Sequence, residues 1–449
     1  MKNIQDSIRA VPASRIAVVN KTDEYSYGKL ALLQKDNIDT INAIRGSSVV
    51  IRGRDKLEFY LILSMLDGQV KRILFLPADI DSSISEKYFN DAEIDFEVSL
   101  ESNRLSCCAL NLPFVLTDNN SLKENVTEWV IPTSGTTNIP KLVPHTFQSL
   151  TRTGKLDVER GEKYRWGLVF DIYRFSGIQV LLQSLLGGST LIIAETQYSM
   201  SEMLNLFANN GCNALSATPS FWRKVLMTKE SENLVLERVT LGGEIADNNI
   251  LQALKGKFGQ AKITHIYAST EVGVVFSVKD GLAGFPATYL NETEDTIKMK
   301  INSHGVLCIA PKNTSKKYFS GDGIYDAEGY INTGDLVRVE NNRVYFLGRN
   351  SGAINVGGNK VQPEEVELIL LDTGFLNAAH VYAIQNPMMG SLVCADVILT
   401  KEHSNEKQVK SQILKICREN LESFKVPAII KCVDEIPMSE TGKLKRGVK

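Results

Sequence analysis

Val49-Val50-Ile51-Arg52-Gly53-Arg54-Asp55-Lys56-Leu57-Glu58-Phe59-Tyr60-Leu61-Ile62-Leu63-Ser64-Met65, followed shortly by Ile73-Leu74-Phe75-Leu76, decides the fold class of this chain. Val49 to Ile51 reads as a strand, Asp55 to Met65 as an amphipathic helix, and Ile73 to Leu76 as the next strand. The same alternation recurs downstream. Ser189 to Ile193 is a strand, Met203 to Ala208 part of a helix, Ala214 to Ser216 a short strand, and Pro219 to Met227 a helix. Strands separated by helices argue for an α/β fold of mostly parallel sheets covered by helices. The pattern changes near Tyr345. Short strands from Val381 to Ile384 and Leu392 to Leu399 surround helices over Glu364 to Leu371 and Glu406 to Glu422, enough for a small α+β domain. The joint Gly348-Arg349-Asn350-Ser351-Gly352 marks the division, predicting a large domain over 1–348 and a small one over 349–449.

Length and composition bound what the chain can do. At 449 residues it exceeds one ordinary core, which sets the expectation of two or three domains. With 43% hydrophobic residues, 23% charged residues and a net charge of −2, it gives no reason to expect nucleic acid or an anionic membrane as partner. No apolar run is long enough for a transmembrane helix, and Met1-Lys2-Asn3-Ile4-Gln5-Asp6 carries no apolar signal core. The seven cysteines are scattered and form no C-x-x-C pair, as expected of reduced thiols in a cytoplasmic protein. The five histidines have no metal-ligand spacing.

The chemistry begins at Thr133-Ser134-Gly135-Thr136-Thr137, with Lys141 four residues further on. Trp129, Val130 and Ile131 precede it, so the segment leaves a strand as a loop. Hydroxyls, backbone amides and one cation suit a polyphosphate, although the Walker A spacing is missing. A hydroxyl-rich surface turn has the same composition. Four other segments turn the loop into a pattern. They are Leu241-Gly242-Gly243-Glu244, His265-Ile266-Tyr267-Ala268-Ser269-Thr270-Glu271, Tyr330-Ile331-Asn332-Thr333-Gly334-Asp335 with its aspartate on a tight turn after a strand, and Ser439-Glu440-Thr441-Gly442-Lys443.

In this order and spacing the segments resemble the adenylate-forming superfamily of acyl- and aryl-CoA synthetases, peptide-synthetase adenylation domains and luciferase. Tyr25-Ser26-Tyr27-Gly28-Lys29-Leu30 looks like that family's N-terminal segment. Gly348-Arg349 through Gly357-Gly358 to Pro363-Glu364-Glu365-Val366-Glu367 looks like its hinge-side signature. The compact length and Pro140-Lys141-Leu142-Val143-Pro144-His145 look most like short bacterial aryl acid–CoA ligases such as o-succinylbenzoate–CoA ligases.

The resemblance implies a set of roles. Thr133 to Thr137 and Lys141 would hold the β- and γ-phosphates of ATP, Thr270 the α-phosphate, and Glu271 a Mg²⁺ ion. Gly243, Glu244 and Tyr267 would border the adenine, while Asp335, supported by Arg349, would accept from the ribose hydroxyls. Lys443 would reach the carboxylate and the α-phosphate when a mobile small domain closes. Ser351 falls at the hinge, and Gly357 and Gly358 at a thiol tunnel. Tyr173, Arg174, Phe175, Thr218, Ser269 and Val272 would line the acid pocket. The implied reaction joins a carboxylic acid to AMP with release of pyrophosphate, then to a thiol, either coenzyme A or the phosphopantetheine of a carrier protein acting in trans. A monomer or homodimer is expected.

The chain departs from the family pattern at Asn138, Leu142, Ser351 and Asn355, and above all at Tyr173-Arg174-Phe175-Ser176-Gly177. There Arg174 replaces a usual histidine. Arg174 either meets an anionic group of the substrate or pairs with a local acid such as Asp171. Asp171 itself lies slightly too early to hold an α-amino group. A degenerate, non-catalytic nucleotide binder is the remaining alternative, and the presence of Glu271, Asp335, Arg349 and Lys443 argues against it.

Overall fold

The computed structural model describes residues 3–110, 126–133, 140–152, 154, 157–290, 297–311, 323, 325–386, 390–400, 405–438 and 443–444. Two mostly parallel sheets dominate. The first runs Arg104–Ala109, Phe96–Glu101, Ser48–Gly53, Arg72–Pro77, Glu128–Pro132, Leu142–Thr146, with parallel pairing at its centre and antiparallel strands at both edges. The second has Gly273–Val278, Lys262–Ser269, Arg238–Gly242, Ala214–Ala217, Arg165–Leu168, Thr190–Ile193, Ile16–Val19 and Glu24–Ser26 in that order, again antiparallel only at its edges. The parallel strands are short and apolar because both faces are covered, as the sequence reading anticipated.

The opening strand–helix–strand unit is present, with one correction. The helix Lys56–Leu66 is not amphipathic, since almost every residue along it is buried. Its residues share one apolar cluster with strands of both sheets and with the helix Phe175–Gly187, so it sits between two layers and has no polar face to show. Asp55 starts it, accepting hydrogen bonds from the Leu57 and Glu58 amides at 2.9 Å. The helix Pro219–Met227 forms over the residues expected, with Thr218 as its cap and proline at its first position.

A third, antiparallel sheet orders Phe285–Pro286, Arg343–Arg349, Ile331–Glu340, Val306–Pro311 and Ile297–Ile301. Asp335 lies inside the strand Ile331–Glu340 rather than on a turn after it. The strand accommodates Gly334 at φ 73° through a register shift against Val306–Pro311, so the turn geometry read from the sequence exists as a bulge. Beyond this sheet the strands Leu376–Asn386, Gly390–Leu399 and Ile429–Cys432, the helices Pro363–Asp372 and Glu406–Asn420, and a small hairpin bury a separate apolar cluster. That is the smaller α+β domain. No helix among the described residues is long and apolar enough to cross a membrane. All seven cysteines are free, and Cys212, Cys308, Cys394 and Cys417 are buried.

Candidate active site

In sheets of this kind ligands bind beyond the carboxyl ends of the parallel strands. Here those ends carry Asp79 after Arg72–Pro77, Thr133 after Glu128–Pro132, Thr218 after Ala214–Ala217, Gly243 and Glu244 after Arg238–Gly242, and Thr270 and Glu271 after Lys262–Ser269. A cleft of about 1200 Å³ opens there. Thr133, Arg174, Gly243, Glu244, Tyr267, Asp335, Arg349, Ser351 and Lys443 all line it, so one space gathers residues spread over more than three hundred positions.

The hydroxyl-rich loop after Glu128–Pro132 is only partly described. Ser134, Gly135, Thr136 and Thr137 lie outside the described residues, as do 439–442 before Lys443. The two ends of the loop are pinned together. The Thr133 amide donates to the Lys141 carbonyl at 2.8 Å, and the Lys141 amide donates to Thr133 Oγ1 at 3.0 Å. Tyr88 donates its hydroxyl to the Pro140 carbonyl. Lys141 itself is exposed and does not line the cleft.

Asp335 and Arg349 are directly opposite each other on paired antiparallel strands. Arg349 Nε donates to Asp335 Oδ1 at 3.1 Å, and the Tyr267 hydroxyl donates to Oδ2 at 2.5 Å. The Tyr267 ring stacks on Phe346 at 4.9 Å and Phe276 at 5.3 Å, which fixes the phenol against the carboxylate. Burial, with the Asp335 charge adding to it, holds the Tyr267 pKa well above its ordinary value, so the phenol stays a donor. Burial works against the Arg349 charge, and the Asp335 carboxylate outweighs it, raising that pKa. Each Asp335 oxygen keeps accepting capacity toward the cleft, because a carboxylate oxygen has two lone pairs.

Lys443 enters from the C-terminal end of the chain. A methyl group added to Gly243 would stand 3.1 Å from Lys443 Cε, so the lysine stem passes directly over that glycine, whose φ of 84° also disfavours a side chain. Burial and the neighbouring Arg349 lower the Lys443 pKa, while Glu244 and Asp335 oppose the shift. The Gly357-Gly358 pair forms the turn between Ile354–Val356 and Asn359–Val361, with φ of 58° and 90°, and is exposed and not part of the cleft lining. Ser351 sits in the short turn Asn350–Gly352.

The acid-pocket residues divide. Arg174 borders the cleft and is 11% exposed. Its guanidinium meets Asp79 Oδ2 at 2.5 Å and Asp171 Oδ2 at 3.3 Å, so the local-acid pairing is present together with a second aspartate that sequence reading missed. Asp171 also accepts from the Tyr173 amide at 3.0 Å. Tyr173, Phe175, Thr218 and Val272 are buried and do not line the cleft in this conformation. Tyr173 packs on Phe59 with ring centres 4.5 Å apart, and Ser269 Oγ accepts from the Val272 amide at 3.3 Å.

His145, which the sequence shows only as part of the Pro140–His145 stretch, has a definite partner in the structure. It is 4% exposed, and its Nε2 lies 2.7 Å from the Thr270 carbonyl. A carbonyl only accepts, so Nε2 carries the proton. The ring therefore anchors the turn that presents Thr270 and Glu271. Burial pushes its pKa down to about 4, against the opposing effect of the Thr270 carbonyl. No group of three or more histidine, cysteine or carboxylate side chains able to hold a metal exists among the described residues. Glu271, on the turn after Lys262–Ser269, supplies the hard carboxylate oxygen that Mg²⁺ takes alongside phosphate and water, although neither it nor Thr270 lines the cleft.

The Asp335–Arg349 pair, the glycine-bearing end of Arg238–Gly242 and Lys443 thus meet in one cleft at the strand ends of an α/β platform. The chain belongs to the AMP-binding enzymes: the family model of that description matches residues 70–319, and the model of the AMP-binding enzyme C-terminal domain matches 365–443. The 2-succinylbenzoate–CoA ligase of Bacillus velezensis is 28% identical over 334 residues, covering 70% of this chain and 66% of that protein. The chain thus matches about two thirds of that relative's length. The D-alanine–D-alanyl carrier protein ligase of Staphylococcus aureus is 23% identical over 96% of this chain and 94% of its own length. Among solved structures, the o-succinylbenzoate CoA synthetase of Bacillus subtilis in complex with its acyl-adenylate intermediate superposes with a TM-score of 0.71 at 19% identity, covering 99% of this chain and 97% of the other. The same synthetase bound to ATP and magnesium gives 0.69. Likeness at that identity speaks for the fold.

Proposed function

We propose that this chain is an ATP-dependent acid–thiol ligase that activates an aryl or short acyl carboxylic acid as its adenylate and passes it to coenzyme A. The observation that carries the reading is the position of Lys443. It comes from the far end of the chain into the cleft beside Asp335 and Arg349, between elements of both domains. The division that goes with this reading is an adenylating unit over 1–348 and a lid over 349–449.

In the first half-reaction a carboxylate oxygen attacks the α-phosphorus of ATP, the bond to the bridging oxygen breaks, and pyrophosphate leaves. Thr133 to Thr137 and Lys141 hold the departing phosphates, and Thr270 the α-phosphate. Asp335, oriented by Tyr267 and Arg349, accepts from the ribose hydroxyls, and Gly243, Glu244 and Tyr267 border the base. Lys443 donates to the oxygens where charge accumulates, an interaction stronger in the transition state than in the ground state. Mg²⁺ at Glu271 would supply further charge neutralisation to the phosphates. In the second half-reaction the thiol attacks the acyl carbon and AMP leaves. The lid turns about Ser351, removing Lys443 and bringing the Gly357-Gly358 turn to the thiol path.

Arg174, which borders the cleft, is the candidate for acid recognition, and Tyr173, Phe175, Thr218, Ser269 and Val272 would join it only if the pocket opens toward them. A carrier protein in trans is the second reading of the acceptor, favoured by the S. aureus relative that aligns along nearly the whole chain. An amino acid as substrate fits less well, because Asp171 is committed to Arg174 and to the Tyr173 amide. The test is ATP–pyrophosphate exchange over a panel of aryl, fatty and amino acids, followed by thioester assays with coenzyme A and with carrier proteins. Acid-dependent exchange and a coenzyme A thioester are expected. Lack of exchange with every acid would refute the reading, and product only on a carrier protein would move the acceptor to the second one.

A further inference from the structure

We propose that Glu244 is a positioning residue that clamps the segment carrying Lys443 into the cleft for the first half-reaction, an inference that rests on the ligase reading above. The carboxylate bridges two domains through two backbone amides. Its Oε2 accepts from the Ser220 amide at 2.9 Å, and its Oε1 accepts from the Leu444 amide at 2.9 Å, two hundred residues away in the chain. Ser220 lies in the first turn of the helix Pro219–Met227, where the unpaired amides and the positive end of the helix dipole favour an anion. One oxygen is therefore fixed to the large domain. The other holds the residue next to Lys443.

The geometry around this contact has one purpose. Leu444 pairs through its backbone with Met438, and Met438 packs against the apolar cluster that contains Leu241, Ala246 and Ile250. Gly243, immediately before Glu244, leaves room for the Lys443 stem. The two-residue element Gly243-Glu244 thus shapes both the path of the lysine side chain and the position of its backbone. Among the described residues, Lys224 to Glu435 at 2.8 Å and Asn249 to Asp372 at 2.7 Å also reach across. Both pairs are solvent-exposed on at least one side, where such contacts contribute little. The Glu244 bonds are part-buried and charge-assisted, so they are the stronger tie. When the lid turns for thiol transfer, the Leu444 amide leaves and Glu244 stays at the helix end. The clamp therefore favours one half-reaction and not the other.

Glu244→Ala removes both acceptors, and Glu244→Gln keeps one acceptor oxygen for two amides. The first readout needs no substrate. The proteins are treated with acetic anhydride, and acetylation of Lys443 is measured by mass spectrometry against Lys415, whose side chain is 78% exposed. Labelling of Lys443 is expected to rise in Glu244→Ala and less so in Glu244→Gln. The second readout separates the half-reactions, using the acid with the fastest wild-type exchange. ATP–pyrophosphate exchange should fall about 10- to 100-fold in Glu244→Ala, with Glu244→Gln in between. Thioester formation from the preformed adenylate and coenzyme A, compared as kcat so that a weakened adenine border shows in KM, should fall clearly less than exchange does. Unchanged Lys443 labelling in Glu244→Ala would overturn the clamp, as would equal loss of both half-reactions in a variant with wild-type tryptophan fluorescence and melting. Absence of exchange in wild type refutes the ligase reading instead, and the labelling then decides the clamp by itself.

Discussion

Replacing His145 with glutamine tests whether the buried ring anchors the Thr270–Glu271 turn as a neutral donor. The ring is 4% exposed, and burial takes its pKa from 6.5 to about 4. A histidine with a depressed native pKa binds fewer protons folded than unfolded. Its contribution is therefore fully present above the unfolded value and is lost as pH falls from 6.5 toward about 4. At about 1.4 kcal/mol per pH unit the gap amounts to roughly 3 kcal/mol of stability lost over that window. Glutamine does not titrate there, and its amide still donates to the Thr270 carbonyl. The three tryptophans, Trp129, Trp166 and Trp222, are all buried in the large domain, so their fluorescence in urea follows the unfolding of that part. His145→Gln should be less stable than wild type at pH 7.5, through lost packing. Between about pH 7 and pH 4 it should lose about 3 kcal/mol less than wild type does. Parallel pH profiles for the two proteins would refute the neutral-donor assignment. ATP–pyrophosphate exchange should fall on the acid side in wild type over the same window.

Asp335→Asn keeps the shape of the side chain and removes the charge that Arg349 and Tyr267 hold. Steady-state kinetics should show the KM for ATP raised about 10- to 100-fold with the KM for the acid unchanged. Arg174→Ala leaves Asp79 and Asp171 without their shared cation. A raised KM for the acid is expected if the arginine meets substrate, whereas a lowered Tm with unaltered kcat and KM would confine it to pairing those aspartates. Gly243→Ala puts a methyl group against the Lys443 stem and an unfavourable φ on the alanine, at a cost of about 1–2 kcal/mol. Exchange should drop at least about ten-fold while thioester formation from preformed adenylate persists; equal exchange in both proteins would contradict the path assigned to the lysine.

Local signals carried much of this structure. The helix Pro219–Met227 was readable because a threonine cap, a first-position proline and an apolar stripe agree. Asp335 and Arg349 were readable from their motifs, and their cross-strand pairing follows from the hairpin between them. What the sequence concealed depends on long-range packing. The helix Lys56–Leu66 looked amphipathic because a lysine and a glutamate interrupt its apolar residues, yet Lys56 is buried and donates to the Ala194 carbonyl at 3.2 Å. Asp79 gave no signal, since its partner Arg174 is 95 residues away. His145 drew no role because its partner is a backbone carbonyl, which any residue at position 270 would supply. Tyr173, Phe175, Thr218 and Val272 follow a pattern of resemblance, but which face of the chain they occupy is decided by how the layers pack.

In the proposed reaction a carboxylate attacks the α-phosphorus of ATP in the cleft that Lys443 enters. An acid labelled with ¹⁸O in its carboxylate, incubated with ATP and coenzyme A, tests it directly by mass spectrometry of the products. One labelled oxygen should appear in AMP, because the oxygen that forms the bond to phosphorus leaves with the nucleotide when the thiol attacks the acyl carbon. Label in inorganic phosphate, with ADP as the nucleotide product, would place the attack on the γ-phosphorus and contradict the account.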